Sequence, residues 1–76
     1  MRYYFHVRDG SVLYLDEEGD ELATHEEAHA VALECARDLL ADDLRAKKTP
    51  SDIRQIEVFG DREDLIEVVP VRVPHH

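Results

Sequence analysis

The residues with the clearest chemical meaning are His25-Glu26-Glu27-Ala28-His29, which fit the pattern H-E-x-x-H. On a helix this spacing puts two imidazoles one turn apart, able to share a zinc ion while the intervening glutamate activates its water. Two features count against protease chemistry. Glu27 lies three residues after Thr24, so Thr24-His25-Glu26-Glu27 also reads as a capping box, and acidic side chains at a helix start are expected from the helix dipole. The sequence also offers no convincing third ligand with a substrate cleft. Metalloprotease activity is disfavoured; the segment reads first as a solvated, well-capped helix start, and the alternative is a metal-binding or metal-sensing protein with a surface site at His25 and His29.

A second pattern is Asp16, Glu18, Asp20, Thr24 and Glu27, at offsets 1, 3, 5, 9 and 12 of a calcium loop. The sixth position of such a loop needs glycine for its sharp turn and here holds Glu21, and the preceding element reads as a strand where an EF-hand has a helix. A solvated, mobile acidic loop is the better account. Cys35 lies among apolar residues with Glu34 and Asp38 nearby, which would raise a thiol pKa, so it reads as inert packing. His6 can pair with Glu57 or Tyr14 across a sheet face, and a cross-strand polar pair outweighs a catalytic one. The chain has no glycine-rich phosphate loop and no G-x-S-x-G. No enzymatic activity and no cofactor are expected.

These side chains must be positioned by a small number of elements. Residues 2–8 alternate, with Tyr3, Phe5 and Val7 on one face and Arg2, Tyr4, His6 and Arg8 on the other, which predicts a strand. Asp9-Gly10 is a hairpin signal, and a returning strand at about 12–15 is expected to turn Leu13 and Leu15 inward and Val12 and Tyr14 outward. A helix is predicted over about 25–45, ending before Thr49-Pro50, since a residue preceding proline is pushed out of the helical region. Its apolar stripe is Ala28, Val31, Ala32, Cys35, Ala36 and Leu39, flanked by Leu33, Leu40 and Leu44. Strands at about 52–59 and 65–73 follow, the last interrupted by Pro70 and so placed at a sheet edge. Pro74-His75-His76 reads as a frayed tail.

The fold class expected is α+β: a single ββαββ domain over residues 1–76, with a four-stranded antiparallel sheet in the order 2-1-3-4 and one long helix on one face. The other face, carrying Tyr4, His6, Arg8, Tyr14, Gln55 and Glu57, has nothing in the chain to cover it. The interaction surface is therefore expected at Tyr4, His6, Arg8, Tyr14 and Glu57, with the leucine flank Leu33, Leu40 and Leu44 as a second contact.

Composition narrows the partners. The 76 residues hold 18 acidic and 9 basic side chains, a formal net charge of −9. A phosphate-backbone binder needs a basic stripe, and the largest basic group here is Arg45, Lys47 and Lys48, so nucleic acid is rejected. No apolar run approaches the ~18 residues of a membrane span. The single cysteine and the absence of a signal-peptide core near Met1 point to the cytoplasm. A chain of this size buries roughly 63% of its unfolded surface, so a homodimer is expected. The charge is uneven: seven of the twelve residues from Asp16 to Glu27 are acidic, which suits a basic protein partner.

The opening Tyr3-Tyr4-Phe5-His6-Val7-Arg8-Asp9-Gly10, with Asp16-Glu17-Glu18-Gly19, Leu22, Ala36-Arg37-Asp38-Leu39-Leu40 and Ile56-Glu57-Val58, resembles a family of short proteins common in rhizobia and related alphaproteobacteria. That family has no established activity, so the resemblance implies a small bacterial cytoplasmic domain and no catalytic residue. Arg2-Tyr3-Tyr4-Phe5 and Thr24-His25-Glu26-Glu27-Ala28 are more weakly similar to HicB-type antitoxins, which implies an oligomeric sheet-and-helix domain with a basic toxin partner. The chain departs from them in lacking an extra strand, the proline-glycine-cysteine segment before the helix and a DNA-binding domain.

Overall fold

The structure, a computed structural model, describes residues 1–47 and 53–72. Its elements run β1 (Arg2–Asp9), β2 (Val12–Tyr14), β3 (Asp20–Glu21), α1 (His25–Arg45), β4 (Arg54–Phe59) and β5 (Leu65–Pro70). The fold is α+β, with an antiparallel sheet whose longer strands lie in the order β2-β1-β4-β5. Asp52, the Thr49-Pro50 helix stop, Val73 and the Pro74-His75-His76 tail lie outside the described residues.

Alternation fixes which side chains meet. β1 and β4 pair Phe5 with Val58 and Val7 with Ile56, and β4 and β5 pair Ile56 with Val69. These residues share the face covered by α1; Phe5, Ile56, Val58 and Val69 join Tyr3, Val71 and three helix alanines in the core, and the half-buried Val7 packs against it. Complete burial of Ile56 and Val58 contributes about 1.5–3 kcal/mol each.

The helix begins where the cap predicts. Thr24 is extended, at φ −138 and ψ 160, and its hydroxyl accepts from the Glu27 amide at 3.1 Å. Ala28, Ala32 and Ala36, one turn apart, are its buried residues, and their small side chains let the helix backbone lie close over β4 and β5. At the other end Lys47 takes the left-handed conformation, φ 56, and donates its amide to the Leu44 carbonyl, closing the last turn as a glycine commonly does.

The first hairpin corrects the expected orientation of β2. Asp9 pairs with Val12, so the loop is Gly10-Ser11, with Gly10 at φ +62 in the first central position; β1 extends through Asp9, one residue beyond the expected strand end. A two-residue loop sets the parity of the returning strand. Tyr14 pairs with Val7 and Leu13 with Arg8, so Val12 and Tyr14 take the helix side of the sheet and Leu13 the open side, the reverse of the expectation. Tyr14 is nonetheless 59% exposed, because α1 lies over β4 and β5 and leaves the β2 margin uncovered.

The acidic segment after β2, expected as a loop, contains a short strand. Asp20 and Glu21 form β3, pairing with Tyr3 and Arg2. The register of β1 with β3 is offset by two residues from that of β1 with β2, so β2 and β3 are two pieces of one returning strand with a two-residue excursion between them.

Candidate functional site

The sheet face opposite α1 carries Tyr4, His6 and Arg8 from β1, Leu13 from β2, Gln55, Glu57 and Phe59 from β4, and Leu65 and Val68 from β5, as their pairing requires. Sequence reasoning places Tyr4, His6, Arg8 and Glu57 here correctly. Tyr14 does not belong to it, for the parity reason above.

At its centre Glu57, only 7% exposed, accepts from Arg8 Nε at 2.5 Å and from Gln55 Nε2 at 2.8 Å. The Arg8 hydrogen bond holds the Glu57 carboxyl below the ordinary carboxylate range; burial acts in the opposite sense and is outweighed, with the Gln55 amide and the Arg8 charge assisting. A carboxylate held ionised by a paired guanidinium is a poor proton acceptor. It fixes β1 to β4 and neutralises the middle of the face.

Beside this pair lies a hollow of about 580 Å³. Tyr4, His6 and Phe59 form a run of rings along it: the Tyr4 and His6 rings stack with centroids 6.3 Å apart, and His6 and Phe59 lie 5.1 Å apart at a 40° tilt. Leu13 and Leu15 add apolar wall. Asp16, Glu17, Asp61 and Glu63 line it as well, and among the described residues no lysine or arginine does.

Asp16 organises one side of this hollow. Its main-chain N–H donates to His6 Nδ1 at 3.0 Å, which requires that nitrogen to be the unprotonated one. Its carboxylate accepts from the Phe5 amide at 3.2 Å, filling the gap in the β1 ladder between β2 and β3, and from the amides of Glu18 and Gly19. On the opposite side the β4–β5 turn is closed by Gly60 N–H to the Asp64 carbonyl at 2.9 Å and by Glu63 N–H to the Gly60 carbonyl at 3.2 Å.

The other sequence candidates are dispersed. The His25 ring meets Tyr3 edge-on at 5.7 Å between centroids, whereas His29 Nδ1 pairs with Glu67 Oε2 of β5 at 2.5 Å. Among the described residues no group of three or more His, Cys, Asp or Glu side chains is arranged to hold a metal ion. Asp16, first in the calcium-loop pattern, spends its carboxylate on backbone amides. Cys35 is half-buried, and burial raises its thiol pKa first, followed by the charge of Asp38. Leu33 and Leu40 pack against the core margin, while Leu44 is 65% exposed.

Sequence reasoning missed Leu13, Leu15, Asp16, Phe59, Asp61 and Glu63 as parts of one site. Two signals were present. Alternation from Gln55 and Glu57 puts Phe59 on the open face, and Asp16-Glu17-Glu18-Gly19 has the spacing of an aspartate that hydrogen-bonds its own following backbone.

No helix among the described residues is long and apolar enough to cross a membrane. No curated protein and no solved structure matches the chain. Residues 2–72 match DUF6894, a domain of unknown function, and the chain belongs to that family.

Proposed function

We propose that the chain is a non-enzymatic protein-interaction module that receives a basic partner on its open sheet face. The observation that carries this reading is the hollow itself: an aromatic and apolar surface bordered by four carboxylate residues, with the Arg8 charge beside it already matched by Glu57. Charge complementarity of this kind steers encounter and selects partners, and the net charge of −9 extends the field. A hexa-arginine peptide titrated into the isotope-labelled protein is expected to shift resonances of the open face, and to bind more weakly as salt is raised. A hexa-glutamate peptide is expected to leave them unmoved. Shifts confined to the helix side of the sheet, or none with either peptide, would refute the reading.

Self-association is a second reading, favoured by one specific observation. Leu65 and Val68 are 55% and 40% exposed on the same open face, along β5 and outside the lining of the hollow, and a second copy can cover them. Light scattering behind size exclusion tests this: a monomer mass at high micromolar concentration removes it.

A further inference from the structure

We infer that the hollow is a receptor for one arginine side chain presented by the basic partner; this rests on the interaction-module reading and gives it a ligand. Two properties of the site point to a guanidinium. The rings of Tyr4, His6 and Phe59 all line the hollow, at centroid spacings of 6.3 and 5.1 Å, so the space a flat cation would enter is bordered by aromatic groups it can pack against. Guanidinium is planar and weakly hydrated, and it stacks on aromatic faces while its edge donates to carboxylates, which a compact, strongly hydrated ammonium does less well. The acceptors for that edge are present: Asp16 is committed to backbone amides, but Glu17, Asp61 and Glu63 border the hollow from two different loops and are exposed.

The same features disfavour other occupants. A second copy of the chain would bring its own carboxylates against these, because a two-fold contact sets each surface against itself. Among the described residues no three His, Cys, Asp or Glu side chains converge as metal ligands would, and the Nδ1 atom of His6 is already occupied by the Asp16 amide. The volume of about 580 Å³ is in the range of a small-ligand pocket and is ample for one arginine side chain.

The test uses the full chain, isotope-labelled, and three blocked tripeptides, Gly-Arg-Gly, Gly-citrulline-Gly and Gly-Lys-Gly, followed through the ring resonances of Tyr4, His6 and Phe59. The arginine peptide is expected to move them. The citrulline peptide, alike in shape but uncharged, is expected to bind at least about tenfold more weakly, and the lysine peptide about threefold more weakly. The double substitution Asp61→Asn with Glu63→Gln, on an exposed turn, should weaken arginine binding by about three- to tenfold. Phe59→Leu should weaken it by about threefold, with amide dispersion checking its fold; the turn variant decides the matter if Phe59→Leu does not fold. Equal binding of arginine and citrulline peptides overturns the inference. So does a shift map that avoids the three rings, or ring resonances that move with protein concentration alone, which would assign the hollow to a second copy. If hexa-arginine maps to the open face but the single arginine is not distinguished from citrulline, this inference falls and the module reading stands; if hexa-arginine also fails there, both fall.

Discussion

The main-chain N–H of Asp16 and the Nδ1 atom of His6 are joined by a 3.0 Å hydrogen bond, so the segment that leaves β2 is pinned to a ring in the middle of β1. The Asp16 carboxylate then returns to the Phe5, Glu18 and Gly19 amides. Removing it leaves the Phe5 amide, in the gap of the ladder, without its acceptor. Asp16→Ala is expected to destabilise the fold by about 1–3 kcal/mol, and Asp16→Asn, which keeps an acceptor oxygen, by less. Urea unfolding at neutral pH measures both; equal losses for the two variants would show that the carboxylate's acceptor role is not what matters.

Glu57 makes stability depend on acid pH. Its carboxyl is held below the ordinary range in the fold, first by the Arg8 hydrogen bond, so between the two values the unfolded chain binds more protons and stability rises with pH. The contribution is complete above the ordinary glutamate value of about 4.3 and is lost as pH falls through the folded-state value. Urea midpoints measured from about pH 5 down to about pH 3 should therefore fall less steeply for Glu57→Gln than for the natural chain. Parallel slopes would contradict this.

Gly19 and Glu63 both have positive φ, +70 and 60, with opposite expected responses. A Cβ on Gly19 would lie 2.7 Å from the Tyr3 carbonyl oxygen, so Gly19→Ala adds a backbone clash to left-handed strain and is expected to cost about 2–4 kcal/mol. Glu63→Gly relieves a strained conformation in the β4–β5 turn and is expected to stabilise by about 1 kcal/mol. Thermal melts of the two variants should move in opposite directions.

Ala32 is fully buried between α1 and the sheet. Ala32→Leu forces the helix away from β4 and β5 and is expected to destabilise by about 1–3 kcal/mol. Ala30→Leu, on the exposed side of the same helix, should stay within about 0.5 kcal/mol of the natural chain. Chemical denaturation of the pair separates close packing from a general effect of leucine.

His29 and Glu67 are half-exposed and one-third exposed at their 2.5 Å contact, so solvent screens the pair. His29→Ala is expected to change stability by no more than about 1 kcal/mol, read by urea unfolding at neutral pH.

The elements were legible where local chemistry decides. Thr24 announces the helix start, β1 alternates without a break, and Pro70 marks β5 as an edge strand. β2 shows where this fails: leucine at 13 and 15 argued for burial, but the two-residue turn had already set the parity, and turn geometry overrides the apolar content of a three-residue strand. The hollow was hidden for a related reason. Its residues come from β1, β2, the segment after β2, β4 and the β4–β5 turn, and only the sheet register brings Phe59 across from Tyr4.

The division of the returning strand into β2 and β3 has a consequence for how these molecules behave in a crowd. Sheet edges invite runaway stacking of one chain on the next, the route to fibrils. On one margin a foreign strand meets pieces of three and two residues separated by an excursion, too short a template to hold it. On the other, the Val71 amide points inward to the Arg54 carbonyl, so its neighbour Pro70 stands where an outward donor would be and has none to give. The first border thus resists growth along its length and the second at Pro70, so both margins of the sheet carry a guard against polymerising through the backbone.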